Sequence, residues 1–220
     1  MLDATRIAAL LRPFADVSDE LANRLRIYLD LLLHWNDRIN LTAIRDPEQI
    51  VTRHFGESLF AARILCDAGA FQSGAAGAPT LSDIGSGAGF PAIPIKLVAP
   101  EVHVTLIESQ NKKATFLREV IRTLDLKGID VFSDRAETWN HTAQAVTLRA
   151  VEKFEQTLPL AATLVAPCGT LCLLIGKEQV PSAEAVLAPS WHFRKPVATP
   201  SSRERMVLVG IRANTKQYDL

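Results

Sequence analysis

Two periodicities divide the chain. Leu21, Leu25, Tyr28, Leu32, Trp35 and Ile39 recur at three- and four-residue spacing, the stripe of an amphipathic helix. Ser18 caps that helix, and Asp19 and Glu20 complement its dipole in the first turn. Asp46-Pro47-Glu48-Gln49 starts a second helix: Asp caps, Pro takes the first helical position and Gln closes a capping box. The pattern carries this helix to Leu65. Residues 68–79, AGAFQSGAAGAP, have no periodicity and read as a linker. Beyond them short apolar runs alternate with helical patterns. Strands are predicted at 79–84, 103–107, 129–132, 145–148 and 170–175, and helices at 93–98, 112–124 and 152–165. Such alternation builds βαβ units around a parallel sheet. The last two strands, 191–197 and 205–212, are joined only by a loop at 198–204, which puts one antiparallel strand in the sheet. The predicted fold is α/β: a mostly parallel seven-stranded sheet with one antiparallel strand, plus an N-terminal helical segment. Residues 1–67 form that segment, 68–79 the linker and 80–220 the ligand-binding domain.

Composition narrows the classes. At 220 residues the chain suits one ordinary domain, and 48% hydrophobic with 22% charged residues excludes disorder and fibrous rods. Twenty-four basic residues balance twenty-four acidic ones. A protein that coats nucleic acid is usually strongly basic, so an RNA partner must be held by a local patch, by shape or by stacking. Cys66, Cys168 and Cys172 are too few and too irregular for a disulfide scaffold or a closed zinc site. They read as reduced thiols of a cytoplasmic protein, with no metal. The first eighteen residues lack a secretion-signal pattern. Residues 156–176 carry no charge and could nominally span a bilayer. Pro159 and Pro167-Cys168-Gly169 interrupt them. A helix to Val165, a turn and a buried strand from Thr170 to Ile175 is the better reading, and no membrane association is expected.

The chemistry centres on Asp83-Ile84-Gly85-Ser86-Gly87-Ala88-Gly89-Phe90-Pro91, between a strand and a helix. In open α/β sheets ligands sit outside the carboxyl ends of the strands, and glycine lets them approach the backbone. The next strand ends at Glu108, where a carboxylate can accept bonds from ribose hydroxyls. A dinucleotide site uses G-x-G-x-x-G with pyrophosphate on the helix N-terminus. Here Gly85, Gly87 and Gly89 give G-x-G-x-G, Pro91 and Pro94 remove donors, and the anion at Asp83 repels phosphate but welcomes an ammonium. A ribose, a base and an amino-acid tail together specify S-adenosylmethionine. The loop Arg135-Ala136-Glu137 follows the third strand, beside the adenine, and Arg149 closes the fourth strand at the lip of the cleft.

Two blocks carry a resemblance. One is HWNDRINLTAIRDPEQIVTRHFGESL at 34–59, the other DIGSGAGFPAIPIKLVAPEVHVTLIESQNKKATFLREV at 83–120, continued by RAE at 135–137 and LRAV at 148–151. The chain resembles the bacterial 16S ribosomal RNA guanine-N7 methyltransferases, the small-subunit methyltransferase G or glucose-inhibited division protein B family, from about Leu21 to Ile211. The resemblance implies a Rossmann-like methyltransferase fold with S-adenosylmethionine as cofactor, contacted by Gly85, Phe90, Ala136, Glu137 and Arg149. It implies 16S rRNA or the small ribosomal subunit as partner and N-terminal helices flanking the RNA cleft; the chain is expected to be a monomer. Three positions depart from the family pattern. Ala92 stands for Gly, Ala145 for an Asp at the start of the fourth strand, and Ile175 for a Lys. The last two are placed near the cleft.

Guanine N7 carries an unprotonated lone pair, so no general base is required and no catalytic residue is assigned. Alignment supplies the rate. The Pro-Pro-aromatic loop of exocyclic-amine methylation is missing after the fourth strand, where the chain reads LRAVEKF. Pro167-Cys168 precedes the fifth strand rather than following the fourth, so Cys168 is read as structural and not as a nucleophile. Candidate RNA contacts are Arg38, Arg53, Lys112, Lys113, Arg118 and Arg149, supported by Arg45, Arg122 and a basic C-terminal stretch from Ser190. Trp35 and His54 are read first as packing groups and second as pocket groups. Two alternatives stand beside the rRNA reading: a methyltransferase acting on a small molecule, and a non-catalytic RNA- or ribosome-binding member of the fold.

Overall fold

In the computed structural model residues 2–72, 77–149 and 154–214 are described. The chain order is α1 (Ala4–Leu11), α2 (Asp19–Asn36), α3 (Pro47–Ile50), a π-helical turn (Val51–Gly56), α4 (Glu57–Asp67), β1 (Thr80–Ile84), α5 (Ala92–Val98), β2 (His103–Ile107), α6 (Asn111–Thr123), β3 (Ile129–Phe132), β4 (Ala143–Arg149), α7 (Phe154–Thr163), β5 (Val165–Gly176), α8 (Val180–Leu187), β6 (Trp191–Phe193), β7 (Val197–Ala198) and β8 (Arg205–Arg212). The strands form one sheet in the order β3-β2-β1-β4-β5-β8-β6, with β7 also paired to β8. Every pair from β3 to β5 is parallel, and β8 runs antiparallel to β5, β6 and β7. One antiparallel strand is therefore present, as the terminal hairpin predicts. The eighth strand is the two-residue β7.

The strands read as near-continuous apolar runs because both sheet faces are covered. Side chains alternate between two cores. Cys172 and Leu174 of β5 and Val207 and Val209 of β8 join the core shared with α1 to α6. Leu171, Leu173, Ile175 and Leu208 join the other, under α7 and α8.

Four expectations change. The predicted helix from Asp46 is interrupted by the π turn at Val51–Gly56 and continues to Asp67. Helices α1 and α8 are additional. The first is capped by Asp3, which accepts from the Arg6 amide at 2.7 Å. Pro167-Cys168-Gly169 is not a turn but lies within β5, where the register with β4 slips and Cys168 takes φ +62°. There Gly169 is required by crowding: a Cβ would stand 2.8 Å from the Ala166 and Gln144 carbonyl oxygens. Finally, Ala145 and Ile175 are buried among core residues and do not line the cleft. The start of the predicted 152–165 helix, Ala150–Val151 of the LRAV block, and Lys216 with Asp219 of the basic tail lie outside the described residues.

Candidate cofactor and nucleic-acid site

Strand order reverses between β1 and β4, and ligands of such sheets bind at that point, beyond the carboxyl ends of the strands. Asp83 and Thr147 are register partners there, and Thr147 Oγ1 donates to Asp83 Oδ1 at 2.6 Å. Asp83 is 1% exposed, and its second oxygen, Oδ2, has no partner among the described residues. Burial pushes this carboxyl up to about 7, against the opposing pull of the Thr147 bond and Arg149.

The glycine loop then turns over the sheet. The Gly85 and Ser86 amides both donate to the Ile107 carbonyl, at 2.9 and 3.1 Å. Gly87 (φ +56°) donates its amide to Glu108 Oε2 at 2.9 Å, while Gln110 N donates to Oε1 at 2.8 Å. Each Glu108 oxygen thus keeps a lone pair. Gly89 (φ +87°) serves packing: a Cβ there would meet Tyr28 Oη and Ile93 Cδ1, each at 2.5 Å. Tyr28 Oη donates to the Ala88 carbonyl, and the Tyr28 ring stacks on Phe90 with centroids 5.4 Å apart. The N-terminal helices therefore brace the loop directly.

Two clefts open from this loop, and Gly85 lines both. One, of about 520 Å³, is bounded by Glu108, Asp134, Arg135, Ala136, Glu137 and residues of α7. The other, of about 810 Å³, is bounded by Gly87, Phe90, Thr42, His54, Arg45, Arg53, Lys113, Arg149 and Arg205. No carboxylate is among its lining residues, so its field is positive. Arg38, Lys112 and Lys113 border an adjoining hollow. Five of the six RNA-contact candidates thus gather on one rim. Arg118 stands apart and donates to Ser133 Oγ at 2.9 Å.

Arg149 is not a solvated strand end. Its side chain is 7% exposed, and Nη2 donates to Glu57 Oε2 at 3.0 Å and to the Arg53 carbonyl at 2.6 Å, with His54 Nδ1 sharing its hydrogens at 3.0 Å. Its Nε is buried with no partner among the described residues. Glu57, 3% exposed, also takes Arg205 at 3.1 Å and lies 3.6 Å from Arg53. A single buried carboxylate therefore gathers three arginines. His54 stacks on Phe90 at 4.9 Å, and its Nε2 lies 2.7 Å from Thr42 Oγ1. Burial, then the neighbouring arginines, lower its pKa to about 3. His54 is a neutral pocket wall rather than only a packing group. Trp35 packs, edge-on to Phe116 at 5.7 Å.

Glu57 and Thr147 were not singled out from sequence, and Arg205 entered only as one of the basic residues of the C-terminal stretch. A carboxylate one turn after Arg53 was the only local signal for the first, since the other two arginines are distant in the chain.

The family described as rRNA small subunit methyltransferase G matches residues 21–195. The chain belongs to this family. Named members include that of Chloroflexus aggregans, 37% identical over 83% of this chain and 78% of the relative. That of Bacillus subtilis is 32% identical over 87% and 83%. The Roseiflexus member is 42% identical over 69% of this chain, which spans 61% of that relative's length. Among solved structures, magnesium protoporphyrin IX methyltransferase from Synechocystis with bound SAM superposes at TM-score 0.64 with 11% identity, covering 84% of this chain and 97% of that one. Ribosomal protein L11 methylase from Lactobacillus delbrueckii subsp. bulgaricus gives 0.58, with 16% identity over 72% and 80%. These two establish the Rossmann-like methyltransferase fold. Family membership makes S-adenosylmethionine the cofactor.

Proposed function

We propose that the chain transfers the methyl group of S-adenosylmethionine to N7 of a guanine in 16S ribosomal RNA, in the cytoplasm and as a monomer. Two buried orphan atoms support the placement of the cofactor. Asp83 Oδ2 is an unused acceptor and Arg149 Nε an unused donor, on the two strand ends that flank the switch point. An amino-acid tail offers the matching pair: its ammonium to Asp83 and its carboxylate to Arg149. Gly85 and Gly87 lie under the tail with Gly89 holding the loop, Phe90 walls the cleft, Glu108 accepts from the ribose hydroxyls, and Ala136 and Glu137 border the base. The residues present therefore fit the group.

When bound, the cofactor supplies an electrophilic methyl carbon on a sulfonium sulfur. That methyl would pass to N7 through its lone pair, leaving the cofactor as the neutral thioether. N7 loses no proton, so none of the cleft residues has to act as base. Their work is orientation, and the neutral His54 and the Phe90 face keep the reacting zone dry and flat. Arg38, Arg53, Lys112 and Lys113 attract phosphate to the rim, and residues 1–67 form the flank of the RNA cleft. Positive charge gathered along one cleft of a chain with no net charge favours RNA over a small neutral acceptor. The test is transfer of labelled methyl from S-adenosylmethionine to small subunits or naked 16S rRNA. Label in 7-methylguanosine supports the reading. RNA binding without transfer, or label only in a small acceptor, contradicts it.

A further inference from the structure

The loop Asn40–Arg45 faces the positive cleft, and its hydrogen bonds fix one hydroxyl with unusual completeness. Asn36, 3% exposed at the end of α2, accepts from the Leu41 and Thr42 amides, both at 2.9 Å, and donates to the Thr42 carbonyl at 3.1 Å. The Thr42 backbone is thereby pinned to the helix. Its hydroxyl is fixed from two other sides. The Ile44 amide donates to Thr42 Oγ1 at 3.1 Å. His54 supplies the second donor, and the reason is chemical. A guanidinium has no acceptor, so Arg149 Nη2 can only donate to His54 Nδ1. Nδ1 is therefore bare, and in the neutral ring the proton sits on Nε2, aimed at Thr42 Oγ1 2.7 Å away. With both lone pairs of Oγ1 occupied, the hydroxyl can act toward a ligand only as a donor. Thr42 lines the same cleft as Phe90 and Arg149.

We propose that Thr42 selects guanine at the methyl-transfer site by donating its hydroxyl proton to O6, the acceptor beside N7. This rests on the guanine-N7 reading above. Guanine shows two acceptors on that edge, N7 and O6, whereas adenine shows N7 and an amino donor. N7 must stay free to attack, which leaves O6 to be read. An amino group at that position would face a hydroxyl with no lone pair to offer. The relay Arg149–His54–Thr42 therefore acts as positioning machinery: two residues hold the proton of the third in place. It also gives the Trp35-Asn36 to Asn40-Leu41-Thr42 block a purpose beyond packing, since Asn36 sets the loop and Thr42 reads the base.

The test uses the full chain, Thr42→Val and Thr42→Ser, with an RNA carrying either guanine or 2-aminopurine at the acceptor position found by mapping. 2-Aminopurine keeps N7 and lacks O6. Val also strips the acceptor from His54 and Ile44, so a lowered rate alone would not distinguish base reading from loop disorder. The preference ratio does. For the unaltered chain and Thr42→Ser, guanine is methylated faster than 2-aminopurine; in Thr42→Val that preference falls about tenfold, the loss of one hydrogen bond. Affinity for adenosylhomocysteine stays the same in all three. An unchanged guanine preference in Thr42→Val would overturn the inference while leaving the methyltransferase reading intact. A wild-type chain that methylates no RNA would overturn both.

Discussion

Thr147 Oγ1 donates to Asp83 Oδ1 across the parallel register of β1 and β4, while the second oxygen of this buried carboxylate has no partner among the described residues. The group is held part-way between charged and neutral, with its acid form favoured up to about pH 7. Desolvation is the main cause; Glu108 adds to it, and Thr147 and Arg149 oppose it. A cationic ammonium beside Oδ2 would favour the ionised form, so binding expels a proton as pH falls. Calorimetry with adenosylhomocysteine should show affinity rising about tenfold between pH 5.5 and 7.5. In Asp83→Asn binding should be weak at both pH values. Equal wild-type affinity at the two would contradict the ammonium role.

The same carboxyl bears on stability, with the opposite preference. Its folded pKa, about 7, exceeds the unfolded value near 3.9, so the folded state holds the proton more tightly. The favourable contribution is complete below about pH 4 and is lost as pH rises to 7. Asp83→Asn removes a buried charge that exists only above that range. Its melting temperature should exceed that of the wild type by about 5 °C at pH 8 and by little at pH 5. Thermal melts at the two pH values check this. Such stabilisation is expected where a site stores unfavourable burial.

Glu57 is the other buried charge, and it holds Arg149 and Arg205 together. Removing a buried partner leaves an uncompensated cation, which costs about 3–5 kcal/mol. Glu57→Ala should lower stability by that order in chemical denaturation. Glu57→Gln should lose less, because its amide oxygen still accepts. A Glu57→Ala variant as stable as the wild type would mean that the arginines are solvated.

Two glycines in the loop should fail differently. Gly87 has only the Gly85 carbonyl, at 3.7 Å, near an added Cβ, so Gly87→Ala should fold with about 1–2 kcal/mol of backbone strain from its positive φ. Its methyl would occupy the cleft, and cofactor affinity should drop. Gly89→Ala drives a methyl into Tyr28 and Ile93, and should lower stability well beyond that strain. Denaturation curves and adenosylhomocysteine binding separate the two effects.

The sheet was legible because alternating apolar runs and glycine punctuation are local signals. His103–Ile107 and Ile129–Phe132 match their strands to the residue. The glycine loop and Glu108 were legible because each directly follows an apolar strand, β1 and β2, whose end the local pattern locates. Helix α8 was missed because Pro181 and a run of small residues weaken its stripe, and α1 is a short helix of eight residues. The π turn has no sequence signature, yet it brings Arg53 and His54 to the cleft. The clustering of Glu57, Arg149 and Arg205 depends on contacts 92 and 148 residues apart, which no local pattern encodes.

The central claim is N7 methylation of a guanine in the small-subunit RNA. Borohydride and aniline cleavage at 7-methylguanosine, compared in 16S rRNA from cells with and without this chain, reads it directly. One cleavage site should vanish in the deletion and return with the wild-type chain. An identical cleavage pattern in both RNAs would contradict the account.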